Sequence, residues 1–399
     1  MCHRSKDCPV KTTTPYMVGC PYTTYEPYWN YYCSTVTSPC NSDGGYANTI
    51  VTAALLGDSS ASGLTNGGMD FTSVDNSARV EMIKKGTAYM NAWMYAIREF
   101  EDAIDDCTNG DLTANGGSSG PVHAWDEGVA FYVGSAMNAD DVAGGASGTT
   151  LTQLSSKGFL AYSLANKRCK NFKTCGYDGN SAVGEAKVNV ELWNLFSEGQ
   201  RKLLVGQCGD VVSVKNRIAQ KMTVPLIQGT LRYAYKQSTT TASNPPKEKG
   251  EGAIFAAAVL PQVHACNPAA AKAIYDNMNI NNNGAVDFNA VKAAFEGCYA
   301  TMGVTCAEVG GLWDGEKYYS GNGAAATPSN AATMYSAAPC VDASTSTSSD
   351  DGMSAGAIVG IIIAAGFSVL MLGCVLFMIK QEKAGKPMFY AIGTVKPGA

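Results

Sequence analysis

The chain has 399 residues, 46% of them apolar and only 16% charged, with 43 glycines, 14 cysteines and a formal net charge of −5. A mildly acidic chain of this kind offers no electrostatic footprint for nucleic acid and excludes it as a partner. Fourteen cysteines without a CxxC pair argue against a reducing compartment and for an oxidising, disulfide-bonded ectodomain whose connectivity spacing alone does not reveal.

Residues 1–46 hold five cysteines and seven tyrosines, as in "CPYTTYEPYWNYYC", and read as a small disulfide-stapled segment. The opening "MCHRSKDCPVKTTT" lacks the apolar stretch of a secretion signal. Two expectations compete here: an N-terminally truncated secreted precursor, or a tail-anchored chain facing the cytosol. The cysteines and the charge pattern at the other end favour the first. Residues 47–76 are rich in Gly, Ser and Asn and read as loop.

From residue 79 the pattern turns helical. Ile83, Met90, Ile97 and Ile104 recur every seven residues, with Trp93, Met94 and Phe100 beside them, which predicts one buried helical face. The segment 186–206 predicts a second amphipathic helix, with Val188, Leu192 and Phe196 inward and Gly206 as its stop signal. An internal repeat then organises the chain. "VNVELWNLFSEGQRKLLVGQCGDV" (188–211) resembles "VDFNAVKAAFEGCYATMGVTCAEV" (286–309), and "EGVAF" (127–131) resembles "EGAIF" (251–255). Each is preceded by a helix carrying an arginine segment, "YAIREF" or "GTLRYAY". The reading is an all-α fold of two related helical-bundle lobes, 77–210 and 211–312, each with about four helices.

Residues 313–354 follow as a linker and a Ser/Thr-rich stalk. Residues 355–379, "AGAIVGIIIAAGFSVLMLGCVLFMI", carry no charge and are long enough to span a bilayer. Asp350 and Asp351 precede the span, and Lys380, Lys383 and Lys386 follow it. The positive-inside rule therefore places the tail 380–399 in the cytosol and the bulk outside.

Chemistry concentrates in two stretches. In "PVHAWDEGVAFYVGS", His123, Asp126 and Glu127 fall at i, i+3 and i+4, on one side of one helical turn. An imidazole and two carboxylates there suit a first-row metal; equally, the two carboxylates suit a helix start, stabilised by the macrodipole. In "YAIREFEDAIDD", Tyr95, Glu99, Asp102 and Asp106 step along one helical face with Arg98 adjacent. A phenol and carboxylates are hard donors of the kind ferric iron prefers. Read in isolation, the same face is a solvated acidic surface. Arg98 is placed either to neutralise it or to hold an anion bidentately. Tyr132 reaches the His123 turn only if its helix ends or bends. In the second lobe Glu251 recurs, Lys247 stands where His123 would fall, and His264 comes a helix length later. "NINNNGAVDF" (279–288) imitates a calcium loop but has Ala290 where the bidentate glutamate belongs, so it reads as a turn. P-loop, GxGxxG and GxSxG motifs are absent, so an enzyme reading has little support, and a metallo-enzyme ranks last because no water-activating pair with a substrate cleft is visible.

With "VHAWDEGVAFYVGS", "LANKRCKNFKTCG" and "EGAIFAAAVLPQVHAC" in order, residues 75–312 resemble the algal iron-assimilating proteins of green algae and the related phytotransferrins of diatoms. The resemblance implies a plasma-membrane protein with its ectodomain at the cell surface. It would capture Fe(III) with carbonate or bicarbonate as a synergistic anion, then be internalised into endosomal vesicles. Endocytic machinery or a ferric reductase would be its partners. The expected ligands are His123, Asp126, Glu127, Tyr132, Glu99 and Asp102, with Arg98 for the anion and Glu251 and His264 for a possible second site. The competing expectation is a cell-surface or wall interaction protein without a metal.

Overall fold

A computed structural model describes residues 46–64, 66–110, 120–134, 160–239, 245–319 and 338–340. These residues fold into helices joined by turns, with isolated bridges but no named strand among them. Both the N-terminal Cys/Tyr-rich head and the apolar segment 355–379 lie outside the described residues. Among those described, no helix is long and apolar enough to cross a membrane.

The first helix, α1 (Tyr46–Leu56), occupies part of the stretch expected to be loop. Its Ala47, Ile50, Ala53 and Ala54 are all buried. They lie on one helical face, an apolar stripe that the Gly/Ser-rich average over 47–76 conceals. Helix α2 (Asn76–Gly86) starts where Asp75 accepts from the Ser77 backbone N–H, and it packs on α1. It runs through a π-helical turn, Thr87–Ala92, into α3 (Trp93–Thr108). The wider π turn rotates the face presented after it relative to the face before it; Met90, Trp93, Ile97 and Phe100 are fully buried, and Ile83 and Ile104 only half-buried.

Helices α4 (Pro121–Val133) and α6 (Lys187–Leu204) pack against α3, and α5 (Leu160–Phe172) packs against α4 and α6. Helix α6 ends at a Gly206 with φ of +71°, the left-handed stop that its position predicts. The 31-residue α7 (Cys208–Ser238) then runs through the middle of the protein. Every residue from Met222 to Leu231 is buried, because α3, α5, α6, α8 and α10 all pack against it. A stretch buried on every side marks a helix enclosed by others, and its polar Thr223, Gln228 and Thr230 all find hydrogen-bond partners. The chain closes with α8 (Pro245–Cys266), α9 (Pro268–Met278), α10 (Phe288–Glu296) and the short α11 (Tyr299–Met302) and α12 (Cys306–Val309). Asn267 caps α9, and Asp287 caps α10, so "NINNNGAVDF" is the turn that leads into α10.

All eight described cysteines are paired, as 107–208, 169–175, 266–298 and 306–340. The Cys107–Cys208 bridge ties the end of α3 to the start of α7 across 101 residues, a long loop removed from the unfolded chain.

Candidate functional site

The acidic face of α3 is not solvated. Glu99 is 1% exposed, Asp102 3% and Asp106 2%, and Arg98 is wholly enclosed. The alternative of a solvated surface is therefore corrected, and the cause is tertiary: α4 and α7 cover that side of α3. Burying so many ionisable groups is costly unless they find partners. Arg98 Nη1 lies 3.3 Å from Asp102 Oδ1, one turn along. Glu101 meets Lys215 of α7 at 3.2 Å. Desolvation pushes the Glu101 carboxyl up to about 7 even against the opposing pull of Lys215.

Helix α4 approaches α3 unusually closely because residue 128 is glycine. A Cβ there would sit 2.6 Å from the Phe100 ring and 2.9 Å from the Ala96 carbonyl oxygen. That approach sets Glu127 against the α3 face. Tyr95 donates its hydroxyl to Glu99, and its ring packs edge-on against Phe131 of α4 with centroids 4.6 Å apart. Burial raises the Glu99 carboxyl to about 7. Arg98 opposes that shift, while Asp102 and Glu127 add to it by repulsion. One carboxyl oxygen, Glu99 Oε1, is buried without a hydrogen-bond donor. The Tyr95 phenol is likewise raised, first by burial and then by Glu99. Towards solvent, His123 Nε2 lies 3.0 Å from Glu127 Oε1, both side chains about one-third exposed (38% and 34%).

The structure thus gathers Tyr95, Glu99, Glu127 and His123, with Asp102 behind them in its pair with Arg98. It does not gather the rest. Asp126 sits on the exposed flank of α4, within reach of the His123 charge but turned to Gln200, from whose Nε2 it accepts at 3.4 Å. Tyr132 is fully buried on another side of α4, donating to Asn189 Oδ1 at 2.9 Å and packing on Tyr162 and Phe196. Five residues turn a helix about 140° from Glu127, and α4 neither ends nor bends before Tyr132 to bring it back. Glu251 accepts from Lys85 Nζ at 2.7 Å and from the Tyr233 hydroxyl. His264 lines a separate cavity of about 480 Å³ with Asp70, Lys272 and Asp276. The two are thirteen residues apart, about 20 Å along α8, so they do not share a site. Neither Lys215 nor the residues around Glu251 stood out in the sequence: their partners are more than a hundred positions away.

Chemically, a phenol, two carboxylates and an imidazole lie along the α3–α4 contact. All are hard or borderline donors suited to a highly charged cation. Among the described residues, no three His, Cys, Asp or Glu side chains already form a metal cage. A cation here would have to take a tyrosine as ligand and draw Glu127 inward.

No curated protein and no solved structure matches the chain. The family model for the low iron-inducible periplasmic proteins (Fea1) matches residues 44–319, which span the helices from α1 to α12 and the described residues just beyond them. The protein belongs to the low iron-inducible periplasmic protein family.

Proposed function

We propose that the protein binds ferric iron outside the cell, as cargo for iron uptake. The supporting observation is the α3–α4 contact, where Glu127 faces Tyr95 and Glu99 and a buried Glu99 oxygen has no donor. A trivalent cation would relieve the mutual repulsion of Glu99, Asp102 and Glu127, and would favour loss of the Tyr95 proton. His123 stands towards solvent as a further ligand. Carbonate belongs to this reading as the anion that completes the shell. Arg98 is already engaged by Asp102, so the anion would have to compete for it or enter beside Glu127. Anchoring by residues 355–379, internalisation and a ferric reductase as partner extend the same reading. The family's description, with its low-iron induction and periplasmic location, supports an iron role outside the cytosol.

The test is a ferric titration of the full chain, with and without bicarbonate, followed by visible absorbance. Tyrosinate bound to Fe(III) gives a charge-transfer band that carboxylates alone do not. The reading expects the band in the parent chain, its loss in Tyr95→Phe, and at least tenfold weaker binding in Glu127→Ala. Undiminished stoichiometric binding in both variants would remove this site. No binding by the parent chain in either buffer would leave the surface interaction protein as the better account.

A further inference from the structure

A second cluster of charges lies where α2, the π turn, α5, α7 and α8 meet, and its sign is opposite to that of the first. Its floor is a stack of three rings. Phe255 of α8 is sandwiched between Tyr89 of the π turn and Tyr233 of α7, with centroids 5.3 and 5.9 Å away and interplanar angles of 20° and 11°. Two glycines make the stack possible. A Cβ at Gly229 would lie 2.8 Å from the Phe255 ring, and one at Gly252 would lie 3.0 Å from Tyr233 Cβ.

Around this floor stand Arg168 of α5, Arg232 of α7, and Lys85 and Lys247, facing the carboxylates of Glu81 and Glu251. The lysines and carboxylates satisfy one another. Lys85 bridges Glu81 and Glu251, and Lys247 lies 3.7 Å from Glu81. The arginines remain in excess. Arg168 Nε and Nη1 are shielded from water and have no hydrogen-bond partner. Arg232 lies over the Tyr233 ring at 5.1 Å. Arg98, in the corresponding arginine segment of α3, is closed off by Asp102 four residues on. Four residues beyond Arg232 comes Lys236 instead, which is itself taken by Glu248.

The Arg168 and Arg232 guanidinium groups are near enough to repel, and a buried guanidinium with empty donors costs several kcal/mol in general. Burial first, then Arg232, lowers the Arg168 guanidinium to about 10. A planar anion accepting from both forks removes the repulsion and fills the donors at once.

We propose that Arg168 and Arg232 bind a small oxyanion, a carboxylate or phosphate group, at the edge of the Tyr89–Phe255–Tyr233 stack. The site lies on different residues from the α3–α4 contact and does not rest on iron binding there. π turns recur at ligand sites, and here the π turn supplies Tyr89.

The test is calorimetric titration of the iron-free full chain with inorganic phosphate and, separately, with acetate. Chloride is held constant. Saturable binding of one or both is expected, and the stronger probe identifies the anion class. Arg168→Met and Arg232→Met should each weaken it at least tenfold, with Arg168→Lys between them and the parent because it keeps charge but loses the fork. Circular dichroism checks that each variant folds; should Arg168→Met fail, the Arg168→Lys and Arg232→Met pair decides. Absence of saturable binding with either probe, or equal affinity in the folded arginine variants, would overturn the proposal.

Discussion

Glu99→Gln separates the site's chemistry from the protein's stability. Glu99 is 1% exposed, and its carboxyl is held at about 7 against an ordinary 4.5. The folded state therefore prefers the protonated acid. Its contribution is fully present below about 4.5 and is lost as pH rises through 7. Each pH unit of displacement is worth about 1.4 kcal/mol, so ionising Glu99 in place costs on the order of 3 kcal/mol by pH 8. Glutamine keeps the shape and still accepts from Tyr95, but it never ionises. Urea unfolding should find parent and variant similar at pH 4.5. At pH 8 the variant should be more stable by about 2–3 kcal/mol, with the gap opening between those values. Over the same range ferric affinity should fall, because a carboxylate ligand is gone. A variant that is less stable at pH 8, or a gap independent of pH, would show that the Glu99 carboxyl is not held protonated by its surroundings.

Two further substitutions probe the frame around the site. Gly128→Ala drives a Cβ to within 2.6 Å of Phe100 and should cost about 1–3 kcal/mol in urea unfolding despite alanine's better helix propensity, while weakening iron binding as Glu127 is pushed away. Equal or greater stability would mean that the α3–α4 approach is not tight. Tyr132→Phe removes the bond to Asn189 and should cost about 1–2 kcal/mol, yet leave ferric titration and its visible band unchanged. A loss of the band would return Tyr132 to the ligand set.

Local chemistry was enough for part of this picture. The helices of α3 and α6, the Gly206 stop, the Asp287-capped turn and the oxidised cysteines follow from periodicity, capping and composition, which act within a few residues. So does the placing of His123 and Glu127 on one turn, which the structure keeps at 3.0 Å. Helix α1 was hidden because its four buried apolar residues, three of them alanine, sit in a Gly/Ser-rich neighbourhood. The π turn was hidden because one extra residue per turn leaves no mark in the apolar spacing.

What only the tertiary structure decided is the state of the charges. A helical face of Tyr95, Glu99, Asp102 and Asp106 has the same pattern whether it meets water or another helix. Burial depends on α4 and α7, which arrive from elsewhere in the chain. That packing turns an acidic stripe into a donor set with a carboxyl near pH 7, and directs Tyr132 to Asn189 instead. It also brings Arg168 to Arg232 across 64 residues. Donor types are written in the sequence, but their desolvation and mutual distance are properties of the folded surroundings.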